Sequence, residues 1–179
     1  GLLLAQYLCG QVRSREYIKT MYFLPTLLGN VAVAIAFESI LSPGGVLNQA
    51  LIRLGAEPVR WLTDSKYALF SCMMVDIWKG LGTALIIYIA GISAIPQDYF
   101  EAAAIDGGTT FQSFRKITLP LIIPTMNTVL TISLIGGLRS YELVFAMTEG
   151  GPGFSTELLV LFIYKLFSRG NYGLATAGY

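Results

Sequence analysis

The sequence predicts an all-α bundle of membrane-spanning helices, on two grounds of composition and one of pattern. Of the 179 residues, 54% are hydrophobic and only 13% are charged. An ordinary globular domain carries roughly 25% charged residues, so this chain could not coat a core of its size with a solvated surface. Three apolar runs also reach the length of about 20 residues that a helix needs to cross a bilayer. These runs are 21–41, 69–94 and 119–147.

Two incomplete spans extend this pattern to five. An apolar stretch precedes Gly10, and a fourth run, which is cut short, begins near Leu158. The chain starts without Met and stops within an apolar pattern, which predicts a fragment of a longer membrane protein. Lys and Arg number five in loops 11–20 and 96–118, against three in loops 42–66 and 149–156. Because basic loops stay in the cytoplasm, we expect 96–118 inside and 42–66 outside.

The composition also excludes several kinds of chemistry. There is no histidine, which removes imidazole acid–base catalysis, Ser-His and Cys-His nucleophiles and His-ligated metals. The two cysteines, Cys9 and Cys72, lack metal-type spacing. The net charge of +1 gives no field that would attract nucleic acid. We therefore expect no metal, no cofactor and no nucleic-acid partner.

The polar loop 96–118 predicts a helix, a turn and a second short helix. Glu101 lies near the start of an alanine-rich stretch, where the helix dipole favours a negative charge. Gly107 can adopt the left-handed conformation that ends a helix, and Thr109 with Gln112 matches a capping box. The second helix presents two phenylalanines three positions apart, Phe111 and Phe114. On these grounds alone, an interfacial hairpin with its aromatics among lipid headgroups fits equally well.

The same loop resembles the EAA loop of ABC-importer permeases. The resemblance rests on Glu101-Ala102-Ala103, on Asp106-Gly107 and on the segment 117–120 that follows. Further segments are similar to the sugar-permease branch, which includes maltose, multiple-sugar and glycerol-3-phosphate permeases. They are 22–25, 45–48, 77–80, 91–96 and 148–152. The likeness covers nearly the whole chain from about Arg13 onward.

The resemblance implies a type I ABC-importer permease core, present in part over 1–179, with the coupling loop at 96–118. Such a chain forms a translocation pathway by alternating access in a bacterial or archaeal plasma membrane. The cargo would be a sugar or related polyol. The implied partners are cytoplasmic ATP-binding subunits, a second permease subunit, an extracytoplasmic solute-binding protein and the lipid bilayer. The sequence has no phosphate-binding loop of the G-x-x-x-x-G-K-[ST] type, so ATP hydrolysis is expected in a separate subunit and not in this chain.

Residue by residue, the resemblance assigns the coupling role to one set of positions. They are Glu101, Ala102, Ala103, Asp106 and Gly107, with Phe111 and Phe114 as anchors. The chain departs from the family pattern at Gly108, where alanine is common, and at Phe111, where tryptophan is common.

Polar residues within the apolar runs are the candidates for a substrate pathway. Arg139, Ser140, Tyr141 and Glu142 lie shortly before a glycine-proline turn, and together they offer charge, hydroxyl groups and an aromatic face. A structural ion pair between Arg139 and Glu142, three positions apart on one helix, is the alternative. Asp76 and Lys79 have the same spacing, and there we favour structural pairing.

Two other classes of function remain open from the sequence. A secondary transporter or channel would work without an ATPase partner, and it predicts repeats or broken helices at mid-membrane. A membrane-embedded enzyme would need carboxylates gathered at one depth.

Overall fold

The computed structural model describes residues 1–9 and 16–178, and of Arg15 it describes the backbone alone. The basic loop predicted at 11–20 therefore lies partly outside the described residues. Within these ranges the chain forms helices and turns and no strand. The helices are α1 (Leu2–Cys9), α2 (Arg15–Leu27), α3 (Asn30–Leu41), α4 (Val46–Arg53), α5 (Ser65–Ser93), α6 (Asp98–Ile105), α7 (Thr110–Ser113), a π-helical turn (Phe114–Thr118), α8 (Leu119–Leu121), α9 (Ile123–Arg139), α10 (Glu142–Thr148), α11 (Leu159–Ser168) and α12 (Tyr172–Ala177).

The predicted span 21–41 is wrong in its bounds, because the helix breaks inside it. Helix α2 ends at Leu27, and α3 begins at Asn30. Between them Gly29 is extended, with φ −62° and ψ 143°, and serves as the N-cap of α3. Glycine is a poor helix former, and the apolar pattern alone did not reveal its effect. By length and composition, the stretch that could cross a membrane here is Asn30–Arg53, which contains α3 and α4.

The second predicted span is confirmed by α5, a continuous apolar helix long enough to cross a bilayer. The third, 119–147, is divided into α8, α9 and α10. The helical stretch Thr110–Leu121 is bent by 63° from α9. Only together are these two helices long and apolar enough to form one membrane span. Pro124 lies at the second position of α9, where a missing N–H costs nothing and a new helix starts readily. The fourth run forms α11, only 10 residues long.

The chain divides into two compact units, each with its own core. The first comprises Gly1–Leu27 and Gly80–Leu134. Its buried apolar side chains come from α1, α5 and α9, with Ile122 between α8 and α9. Within this unit α2 lies directly against α5, because a Cβ at Gly82 would meet the Tyr22 carbonyl oxygen and the Thr26 hydroxyl. Only glycine permits so close an approach of two helices.

The second unit comprises Leu28–Lys79 and Ile135–Tyr179, of which Tyr179 is not described. Its core joins α3, the first half of α5, α10 and α11, and Leu161 at its centre is fully buried. Outward from both cores, large apolar side chains are exposed, such as Leu134 and Leu138 at 68% each on α9. Apolar exposure on this scale suits contact with lipid or with other membrane helices.

Candidate functional site

Helix α6 ends in a closed turn that fixes the direction of the chain into α7. The Gly108 N–H donates to the Ala103 carbonyl at 2.8 Å, and the Gly107 N–H donates to the Ala104 carbonyl at 3.1 Å. Gly107 is left-handed, with φ 73°. This is the Schellman arrangement, in which two late carbonyls of a helix gain partners. The predicted role of Gly107 as the helix terminator is confirmed.

Gly108 has a steric reason to differ from the alanine that is common in the family. A Cβ at this position would lie 2.8 Å from the Ala103 carbonyl oxygen, a distance that real Cβ atoms essentially never show. That same oxygen accepts the hydrogen bond that closes the turn. Alanine here would force the turn to open slightly, so this chain holds a tighter turn than an alanine would allow.

The second short helix begins with the predicted capping box. The Gln112 N–H donates to the Thr109 hydroxyl oxygen at 3.3 Å, and the Thr109 N–H donates to the Gln112 side-chain oxygen at 2.8 Å. Two N–H groups that a helix start would leave unpaired are thereby satisfied. The prediction at Thr109 and Gln112 is confirmed. Helix α7 then continues directly into the π-helical turn.

The coupling residues assigned from the sequence form an open surface on the first unit. Glu101, Ala102, Asp106 and Gly107 are exposed, whereas Ala103 is half-buried. The two anchors differ, because Phe111 is 70% exposed and Phe114 is half-buried. Ile105 on the same hairpin is 87% exposed. Sequence reasoning missed Ile105, although a large apolar residue directly before Asp106 and Gly107 was a signal for it.

The structure separates Arg139 from Glu142, so their placement on one helix face is wrong. Arg139 is the last residue of α9 and Glu142 is the first of α10, with Ser140 and Tyr141 in the break between them. Within the part of the chain that the structure describes, no ion pair joins the two side chains. Two glycines, Gly136 and Gly137, weaken the helix just before it ends.

Glu142 instead bonds to an amide from a distant helix. The Asn30 side-chain N–H donates to the Glu142 carboxylate at 2.7 Å, and the Lys79 ammonium donates to the Asn30 side-chain oxygen. One amide thus bridges a cation and an anion that come from α5 and α10. We call Asn30, Lys79 and Glu142 the amide bridge. Sequence reasoning assigned no role to Asn30, although a polar residue directly after Gly29 was a signal for a helix start.

Tyr141 lies beside the amide bridge in sequence and belongs to an aromatic cluster. Its ring centroid is 5.4 Å from that of Tyr164, with an interplanar angle of 31°, and Phe145 contacts Tyr164 at the same distance. Aromatic faces and charged hydrogen-bonding groups are therefore close together on the second unit. Aromatic faces and precisely placed polar groups are the usual lining of small-molecule sites.

A family model described as "Binding-protein-dependent transport system inner membrane component" matches residues 6–178. The trehalose/maltose transport system permease protein MalF of Thermococcus litoralis is 33% identical over 178 residues, covering 99% of this chain and 60% of that protein. The multiple sugar-binding transport system permease protein MsmF of Streptococcus mutans is 28% identical, with coverages of 99% and 61%.

A solved structure gives the same result for the fold. A chain of a bacterial alginate ABC transporter, in complex with an alginate pentasaccharide-bound periplasmic protein, matches with a TM-score of 0.89 and 31% identity. The match covers 99% of this chain and 63% of that one. The chain thus spans less than two thirds of the proteins it resembles. From the match over residues 6–178, the chain belongs to the family of binding-protein-dependent transport system inner-membrane components.

Proposed function

We propose that this chain is part of a permease subunit of an ATP-driven, binding-protein-dependent importer for a sugar or related polyol. The family match over nearly the whole chain carries this proposal. Relatives named as trehalose/maltose and multiple-sugar permeases support the carbohydrate class. The alginate transporter structure, with its periplasmic protein, supports a partner that delivers the cargo. The partners proposed here are that binding protein, a second permease subunit and cytoplasmic ATP-binding subunits.

The hairpin of α6 and α7 is proposed to dock on an ATP-binding subunit. Its turn and its capping box are closed by hydrogen bonds between residues of the hairpin itself. Its apolar tips, Ile105 and Phe111, are more than two thirds exposed. Burying such side chains in a partner would stabilise the complex by about 1.5–3 kcal/mol each. Glu101 and Asp106 add charges that can pair with basic groups of the partner.

The amide bridge and its neighbours are proposed to lie on the transport pathway. Charged groups inside membrane segments usually face a cavity or the interior of the bundle. Arg139 ends α9 beside the break at Ser140 and Tyr141, and non-helical backbone at membrane depth is tolerated where it is buried in protein or lines a water-filled cavity. A helix break within a predicted span also gives the chain a place to bend during alternating access.

Reconstitution would test the importer function directly. The full-length protein is co-expressed with its ATP-binding subunits, placed in liposomes with the binding protein, and assayed for uptake of labelled maltose, trehalose and lactose. We expect uptake of at least one sugar that requires ATP. Uptake driven by an ion gradient without ATP would contradict the proposal and favour a secondary transporter. A charge reversal in the hairpin, Glu101→Lys, should uncouple transport from ATP hydrolysis. The matched control is Glu57→Lys, the same charge reversal in loop 42–66.

A further inference from the structure

A cleft of about 540 Å³ lies within the second unit and does not include the amide bridge. Three segments line it: the end of α3 with residues 41–43, the loop 60–63, and the end of α10 with its following turn. Loops 42–66 and 149–156, which charge counting assigns to one side of the membrane, thus meet at one cleft. Its volume falls in the range of small-molecule sites, about 300–1,000 Å³.

One wall of the cleft is fixed by a single buried asparagine. Asn48 is completely buried, and its side-chain oxygen accepts from the Val59 N–H at 2.9 Å and from the Trp61 indole N–H at 3.2 Å. The Trp61 carbonyl accepts from the Ser71 hydroxyl at 3.0 Å. Val59 and Trp61, the two neighbours of Arg60, both donate hydrogen bonds to Asn48. These bonds fix the position of the chain around Arg60 in the absence of a ligand.

The opposite wall is held by a polar turn. Thr156 is buried, shares a hydrogen bond of 2.8 Å with the Thr148 hydroxyl, and donates to the Gly151 carbonyl at 2.9 Å. Within this turn Glu149 has a left-handed backbone, with φ 51°. A residue other than glycine adopts this conformation at a cost, and such residues gather at binding sites. The turn thus fixes the backbone from which the Glu149 side chain lines the cleft.

Charges of both signs line the cleft without neutralising one another. Glu38, Arg60 and Glu149 all line it, and none of them forms an ion pair with another side chain in the described ranges. Carboxylates accept hydrogen bonds from sugar hydroxyls, and a guanidinium donates to them. The indole of Trp61 adds an apolar face. Two carboxylates against one guanidinium leave an excess of negative charge, which disfavours an anionic ligand.

We propose that this cleft binds one or two units of a neutral sugar and discriminates against sugar acids. The inference rests on the proposed import function and narrows its substrate class. The alginate transporter that this chain resembles imports an acidic polysaccharide. The two proteins would therefore share a fold and differ in the charge of their cargo.

Equilibrium dialysis of the full-length protein, in nanodiscs with its partner subunits and without ATP, would test the cleft. The probes are labelled maltose, trehalose and lactose, with digalacturonate as the acidic comparison. We expect saturable binding of at least one neutral sugar, weakened about tenfold by Glu149→Gln or Arg60→Gln, since each removes a charged hydrogen-bonding group. Glu57→Gln and Arg53→Gln, on exposed positions outside the cleft, are the matched controls and should change affinity by less than about twofold.

A charge test separates this cleft from any other sugar site. The double variant Glu38→Gln/Glu149→Gln should bind digalacturonate about tenfold more tightly than the original protein does. Unchanged affinities in all cleft variants, or no saturable binding of any neutral sugar, would overturn the proposal. So would weaker association with the solute-binding protein at unchanged sugar affinity, because the cleft would then be a protein interface. Cleft binding without ATP-dependent uptake would instead contradict the importer function alone.

Discussion

The two long polar loops of this chain are stabilised in opposite ways. The hairpin after α5 is closed by hydrogen bonds between residues no more than five positions apart, such as that from Gly108 to Ala103. The loop before α5 depends on Asn48, which reaches Trp61 across 13 positions. Local bonds fix the turn of the hairpin with residues that are neighbours in the chain. The longer loop forms a cleft wall, and it depends on one buried side chain.

The largest effect we expect is a difference in labelling between loop 42–66 and loop 96–118, because the two should lie on opposite sides of the membrane. Cysteines placed at Thr63 and Thr110, after Cys9, Cys72 and any other native cysteines are replaced by alanine, probe the two loops separately. The Thr63→Cys protein should react with an impermeant thiol reagent outside intact cells, and the Thr110→Cys protein should not. The reason is the distribution of Lys and Arg between the loops. External labelling at Thr110 would reverse the orientation and remove the proposed coupling role.

Breaking the local turn should uncouple transport without removing the protein from the membrane. Gly107→Pro places a residue fixed near φ −65° where the backbone has φ 73°, and it deletes the N–H that bonds to Ala104. We expect ATP-driven sugar uptake to fall at least about tenfold, because the docking hairpin loses its shape. Uptake assays at matched expression measure this effect. Gly173→Pro, at an exposed glycine at the start of α12, is the control for proline itself.

Breaking the distant bond should lower stability rather than coupling. Asn48→Ala leaves the Val59 and Trp61 N–H groups without their partner, and each buried unpaired donor costs about 1–3 kcal/mol. We expect a clear fall in the thermal midpoint of the purified protein, measured by scanning fluorimetry in nanodiscs. Gln49→Ala is the matched control, because the exposed Gln49 side chain makes one bond, to the Gly44 carbonyl at 2.9 Å. Equal midpoints for the two variants would refute the role of Asn48.

The amide bridge tests whether the folding of the membrane-spanning helices depends on one asparagine side chain, as that of the loop before α5 depends on Asn48. Asn30→Ala removes the group between the Lys79 ammonium and the Glu142 carboxylate, so we expect less folded protein. Arg139→Gln should leave abundance near normal while uptake falls and sugar preference shifts, because Arg139 forms no ion pair with the other described residues. Quantitative membrane immunoblots and uptake assays distinguish these outcomes. Full uptake with unchanged preference in Arg139→Gln would remove Arg139 from the pathway.

The smallest effect should follow from removing one cap of the hairpin. Thr109→Ala deletes the oxygen that accepts from the Gln112 N–H, which should cost about 1 kcal/mol locally. Hydrogen exchange at the Gln112 amide should then accelerate about fivefold, while other regions keep their rates. Thr110→Ala, which alters a neighbouring exposed hydroxyl outside the capping box, is the control. No change in exchange at Gln112 would show that the cap contributes little.

The hairpin was predictable from sequence because its determinants are neighbours in the chain. Gly107, Thr109 and Gln112 signal their roles by residue type and spacing, and the structure confirms all three. The break at Gly29 and the separation of Arg139 from Glu142 were missed, because both lie inside apolar runs long enough to predict one continuous span, and a brief polar interruption does not by itself end such a run. The bonds of Asn30 and Asn48 to distant residues also leave no periodic signal. The docking and pathway roles themselves remain predictions.

The π-helical turn at Phe114–Thr118 has a consequence for how such proteins can evolve. A π turn contains one residue more than an α turn, and here it lies between the hairpin of α6 and α7 and helix α9. Because the wider turn takes up the extra residue, deleting a single codon within it would restore ordinary helix and leave the hairpin facing nearly the same way. Every side chain on either side would be unchanged. A lineage could therefore gain or lose one residue at this turn while the hairpin keeps its orientation relative to the helical segment that follows.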